Sequence, residues 1–132
     1  IGKIMSKEIF QVNSLDEYYD LWDKAEELNA HFAILYWDEI GGYACTPEVK
    51  EYFHNLVEKD TRNIIWAIAD YALWPDDEKD SSSFLSSGTL KLGINKDGKG
   101  DFYSLENHAS GLDSKWGKSW EQFLDESFAR LA

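Results

Sequence analysis

Apolar positions in this chain recur with two periods, and the alternation between them outlines the elements. Leu15, Tyr18, Leu21, Trp22, Ala25 and Leu28 repeat at three- and four-residue spacing, the buried stripe of an amphipathic helix. Ser14-Leu15-Asp16-Glu17 opens it as a capping box: the Ser14 hydroxyl accepts from the Glu17 backbone N–H, and the Glu17 carboxylate reaches back toward that of Ser14. Residues 31–37 (HFAILYW) are continuously apolar, as a buried strand is. The spacing predicts a turn over 38–42 and a short strand over 43–45. A second helix begins with Thr46 as N-cap, Pro47 in the first helical position and Glu48 where the macrodipole favours an acid. Its apolar face is Val49, Tyr52, Phe53, Leu56 and Val57, and it should stop near Lys59.

Residues 64–69 (IIWAIA) are apolar on both sides, as a central strand is, although 61–74 also reads as a buried helix. We read the strand; strand, helix and strand in succession then give a right-handed crossover between parallel strands. Pro75 ends the element, and residues 76–87 have the composition of a surface loop. Leu90, Leu92 and Ile94 alternate with Thr89, Lys91 and Gly93, the period of a half-buried strand. Residues 96–99 form its turn and 101–105 the returning strand of a hairpin. Ser119 caps a closing helix with Gln122 in the reciprocal position, and Trp120, Phe123, Leu124, Phe128 and Leu131 form its apolar face. No internal repeat or Pro-rich linker divides the chain. The expected architecture is therefore a single α+β domain over 1–132: a mixed sheet with a capped N-terminal helix, a crossover helix, a C-terminal β-hairpin and a closing helix. Residues 1–4 precede Met5-Ser6, which reads like a native start, so these four are not expected to contribute to the domain.

The 132 residues are 43% hydrophobic, enough for one good core, and six Trp, seven Tyr and seven Phe exceed what ordinary packing needs. Either nearly all of them are core residues or some are exposed as anchors for a protein partner, with Tyr19, Tyr43 and Trp74 the candidates. Cys45 is the only cysteine, so no intramolecular disulfide is expected and the cytoplasm is the expected compartment. No apolar run approaches the ~20 residues of a membrane span, and the start lacks the apolar region of a secretory signal.

Charge changes the picture most. Of a formal net charge of −12, residues 14–60 hold twelve Asp and Glu against Lys24, Lys50 and Lys59. A local excess of this kind repels nucleic acid and anionic lipid and steers a basic partner during encounter. Asp16, Asp20, Asp23 and Glu27 are spaced four, three and four apart, which aligns four carboxylates along the first helix. Asp38, Glu39, Glu51 and Glu58 extend the acidity. The plainer alternative is a solvated face with no partner.

Catalytic constellations are less well supported. Residues 95–106 place Asn95, Asp97, Gly100, Phe102 and Glu106 at calcium-loop positions one, three, six, eight and twelve, but Lys99 stands where an oxygen ligand is required, the flanks read as strands rather than helices, and a hairpin turn explains the same residues. His31, His54, His108 and Cys45 lack metal-ligand spacing. His54 and Glu58 sit one turn apart without the second histidine of a zinc helix. Cys45 reads as a small buried hydrophobe despite standing before a helix N-terminus. Carboxylate pairs are too numerous to single one out, Ser81, Ser82 and Ser83 lack a nucleophile elbow, and the glycine pairs fit turns rather than a phosphate cradle. No enzyme activity, cofactor or metal is expected.

The C-terminal third, with its strand pair, His108 in a polar loop and the closing Ser119-Trp120-Glu121-Gln122-Phe123-Leu124 helix, resembles the end of SUKH-type bacterial immunity proteins. The resemblance implies a small acidic partner that blocks a toxin domain delivered by neighbouring bacteria. Joined to the charge distribution, it sets the functional expectation: a non-enzymatic inhibitor of a basic toxin, a nuclease in the first instance. The competing expectations are a phage or plasmid DNA mimic that blocks a host DNA-binding enzyme, and a small-ligand-binding α+β domain.

Overall fold

The computed structural model describes residues 8–37, 45–79, 90–104 and 119–131. Five strands form one mixed sheet: β1 (Ile9–Gln11), β2 (His31–Trp37), β3 (Ile64–Asp70), β4 (Leu90–Lys96) and β5 (Lys99–Ser104), in the order β1-β3-β2-β4-β5. β1, β3 and β2 run parallel, and β4 is antiparallel to β2 and to β5. The helices are α1 (Leu15–Glu27), α2 (Pro47–Lys59), the single turn α3 (Asp76–Lys79) and α4 (Trp120–Arg130). This is the expected single α+β domain with crossover helix, hairpin and closing helix. Segment 64–70 is the strand, followed by a 3-10 turn at Tyr71–Leu73 capped by the Asp70 carboxylate. The expected loop over 76–87 begins instead with α3. The turn over 38–42 and residues Tyr43 and Ala44 of the expected short strand lie outside the described residues.

The sheet has helices on both faces. Phe32, Ile34, Tyr36, Ala67 and Ala69 pack with Leu21 and Ala25 of α1, and Tyr71, Trp74 and Val12 complete that core. The alternate residues of the same strands, Ala33, Leu35, Trp37, Ile64 and Trp66, pack with α2 and α4. The connection from β1 to β2 passes over β3 in one direction with α1 on one face. The return from β2 to β3 runs in the opposite direction with α2 on the other face. Reversing both direction and face preserves handedness, so a single hand serves both crossovers, as the right-handed rule requires.

The caps explain where the helices begin. Ser14, Thr46 and Ser119 each accept from a backbone N–H three residues on, at 3.1, 3.2 and 3.1 Å. The Glu17 carboxylate returns to the Asn13 N–H at 3.1 Å, one residue earlier than the capping-box expectation. Gln122 does not reciprocate through its side chain, which donates to Glu126 instead. Leu28 departs from the predicted stripe and is 54% exposed. It follows the last turn of α1, and Asn29 then adopts φ 51°, so the chain swings toward β2 and leaves Leu28 outside. The hairpin turns on two residues, Asp97 (φ 51°) and Gly98 (φ 84°), both left-handed, as a type I′ turn requires. The calcium-loop match thereby resolves into this turn: the Asn95 side chain accepts from the Gly98 N–H at 3.2 Å.

One polar cluster ties the closing helix to the sheet. Arg62 bonds Asp60 through Nε at 2.6 Å and Asp125 through Nη1 at 2.9 Å, and its guanidinium lies over the Phe128 ring. The His31 ring stacks on the same Phe128, with centroids 4.1 Å apart. Burial holds the His31 pKa below its ordinary value and the nearby Lys96 pushes the same way, against backbone hydrogen bonds at Phe128 and Leu131 and the Asp97 charge. His31 is therefore neutral when folded, and the unfolded chain takes up its proton first. Stability at this site is full above the ordinary histidine pKa of about 6.5 and falls as the pH drops below it, by at most about 1.4 kcal/mol per pH unit. Chemical denaturation at pH 7.5 and 5.5 should show a smaller loss in H31F than in the parent. Equal losses would assign the acid sensitivity elsewhere.

Candidate protein-binding face

The outer surface of α1 carries the predicted carboxylates, and the fold shows why they point outward. Leu21 and Ala25 face the sheet, so the opposite side of a 3.6-residue helix is occupied by Asp16, Asp20, Asp23 and Glu27, all exposed. None of the four has a cationic partner within ion-pair distance among the described residues. Tyr19 is 52% exposed and lies between Asp16 and Asp23, three residues after one and four before the other. Carboxylates and an exposed aromatic thus share one helix surface.

The remaining candidates do not join this row. Glu51 and Glu58 are exposed, but on α2, which covers the opposite face of the sheet. The acidic N-terminal half is therefore divided between two sides of the molecule. Asp38, Glu39 and Tyr43 lie outside the described residues. Trp74 is not an exposed anchor: it is 3% exposed, its Nε1 donates to the Val12 carbonyl at 3.0 Å, and its ring meets Tyr71 edge-on. The 3-10 turn after β3 folds it inward beneath the segment joining β1 to α1.

Residues not singled out beforehand complete the face. Trp22 lies against Phe32 and over the hairpin tip, near enough that a Cβ on Gly98 would meet its ring at 3.5 Å. Its Nε1 donates to Glu26 at 2.9 Å. Tyr18 meets Phe32 edge-on with centroids 6.0 Å apart and adjoins Tyr19 at 5.7 Å. Phe102 of β5 is 57% exposed and meets Tyr36 edge-on across Gly93, whose missing side chain leaves room for both rings. Burial raises the pKa of the Tyr18 and Tyr36 hydroxyls, so both stay neutral, and the charges of this face are the α1 carboxylates and Lys91, whose Nζ lies 5.9 Å from the centre of the Phe102 ring. A glycine directly opposite an aromatic in a hairpin was the available signal for Phe102, since such a pair leaves one ring exposed over an otherwise thin face.

Groups with catalytic potential are dispersed. Among the described residues no three of His, Cys, Asp and Glu converge as a metal site. Cys45 is buried in the α2-side core immediately before the N-cap of α2. A Cys-X-X-Cys pair opening a helix in a β-α-β unit is the thioredoxin-like redox signature. Here the four residues are Cys45, Thr46, Pro47 and Glu48, so the second thiol is missing from the motif and from these 132 residues. A cleft of about 240 Å³ between α2 and α4 is lined by Tyr52, Lys59, Arg62, Glu121 and Asp125. Four of its polar side chains are engaged with one another or with Asp60: the Tyr52 hydroxyl meets Glu121 at 2.5 and 2.9 Å, and Arg62 holds Asp60 and Asp125. No helix among the described residues is long and apolar enough to cross a membrane. No family model matches the chain, and no curated protein matches it.

Proposed function

We propose that this protein is an immunity-type inhibitor that binds and neutralises a basic toxin domain, a nuclease, with the outer surface of α1. The observation that carries the reading is the exposed row Asp16, Asp20, Asp23 and Glu27, without a cationic partner among the described residues, around the exposed Tyr19. Unpaired carboxylates raise the local concentration of a cationic partner and orient it, and a rigid aromatic at their centre supplies contact area at little entropic cost. A nuclease suits the row because its substrate-binding surface is built to receive phosphates. The resemblance of the closing segment to SUKH-type proteins points the same way.

Mimicry of duplex DNA is less well supported. Three- and four-residue steps along a helix space the charges about 4.5–6 Å apart, whereas duplex DNA presents one charge per ~1.7 Å. The α2 carboxylates cannot supply a second row, because they lie across the sheet. Kinetic titration against a panel of basic nuclease domains tests the proposal. The association rate should fall at least tenfold between low ionic strength and about 0.5 M salt, because such steering is screened beyond a few ångströms at high salt. A cognate complex whose association ignores salt would remove the steering argument.

A further inference from the structure

We propose that the open edge of β5 is a self-association surface: a second copy of this chain adds its own β5 antiparallel, across a twofold axis at Phe102, and joins the two five-stranded sheets into one. The inference stands apart from the reading of α1 and needs no toxin partner.

β5 is an outer strand, paired with β4 alone among the described residues. The two-residue turn makes Lys96 and Lys99 a hydrogen-bonded pair, so Lys99, Asp101 and Tyr103 direct their backbone groups to β4, whereas those of Gly100 and Phe102 point to the open side. Natural sheets guard such an edge with a charge at its middle. Here the middle holds Phe102, 57% exposed, and the neighbouring Asp101 is paired with Arg130 of α4. Symmetry, charge and shape select a second copy as the occupant. Near the middle of β5 a twofold can fall at Asp101, where two carboxylates would oppose each other, or at Phe102, where two rings pair and the residue exchanges N–H to C=O bonds with its own copy. The β4–β5 hairpin sets Lys91, Lys96 and Lys99 against Asp97 and Asp101, the only element with a net positive charge among the described residues of a chain of net charge −12, so self-repulsion is least there. On the other face, α4 packs over β4 and β5 alike. It thus lies two strand spacings from its copy, roughly 10 Å, which is the distance between packed helices. The groove of about 500 Å³ between β5 and α4, walled by Tyr103, Phe123, Ser127 and Arg130, is then covered by the second copy.

Sedimentation velocity of the full chain should show a monomer–dimer equilibrium that tightens as salt screens the net charge, with the Gly100 and Phe102 amides protected from exchange only in the dimer. F102K and F102E each set like charges opposite one another and remove the ring pair. Each should weaken the dimer by about tenfold or more, yet melt like the parent at concentrations where the parent is monomeric. Mixed in equal amounts, the two variants should recover a dimer, because lysine then faces glutamate across the axis. A parent that stays monomeric up to about 0.5 mM, a dimer that F102K leaves intact, or a mixture no tighter than either variant alone overturns the proposal.

Discussion

If α1 is the binding surface as proposed, reversing Asp16, Asp20 and Asp23 to lysine is expected to slow association with a basic protein partner by about 10- to 100-fold at low ionic strength, with a much smaller change in dissociation. The three side chains are exposed, so the exchange alters the encounter and not the core. Asp16 does sit in the first turn of α1, where lysine opposes the helix macrodipole by about 0.3–1 kcal/mol. Relief of like-charge repulsion along the row offsets part of that cost. The matched control is E51K with E58K on α2, across the sheet, which should change the rate less than about threefold. Carboxylates of α4 make a poor control, because Glu121 bonds Tyr52 and Asp125 bonds Arg62, so reversing them also disturbs the fold. Stopped-flow association of both variants decides the matter: equal rates would reduce the row to a solvated surface.

W120A should cost about 3–5 kcal/mol and lower the melting temperature by roughly 10–20 °C. Trp120 is fully buried at the start of α4, edge-on to Tyr52 with centroids 5.1 Å apart and to Phe53 at 6.5 Å. Its removal leaves a cavity between α2 and α4 where the indole met the rings of Tyr52 and Phe53. W120F should lose well under half as much, because it keeps an aromatic wall and the indole Nε1 has no hydrogen-bond partner among the described residues. Urea titration of the two variants checks the order. Similar losses for both would mean that the site is limited by its shape and not by the volume of the cavity.

The helices were readable because each begins at a side chain that must cap it and continues with a stripe of the right period. β2, β3 and β4 were readable from their apolar runs or alternation. β1 was not: Ile9-Phe10-Gln11 is too short to show a period, and its partner is the distant segment at Trp66, Ala67 and Ile68. For the candidate site, the four α1 carboxylates and Tyr19 could be placed on the outside of a helix because helical spacing alone settles that. Grouping them with Glu51 and Glu58 failed for a different reason. A stripe shows that a helix packs on a sheet, but the side of the sheet it takes follows from strand order, which is a property of long-range pairing. Trp74 misled because an excess of aromatics does not say which of them are exposed; a 3-10 turn buries this one and its Nε1 donates to the Val12 carbonyl. Phe102 alternates with Asp101 and Tyr103 as any strand residue does, and its exposure depends on which face α1 leaves uncovered.

Strand order also governs how the chain must acquire its structure during synthesis. β1 and β2 are made first yet are not neighbours, because β3 lies between them. Until residues 64–70 leave the ribosome, neither has a parallel partner, and β2 gains its other neighbour only when β4 follows. Through that interval α1 has no sheet to cover, so Leu21, Ala25, Tyr18 and Trp22 stay in water beside an apolar strand. The carboxylates on the same helix give those uncovered surfaces a like charge, which opposes their association with one another while β3 is being made.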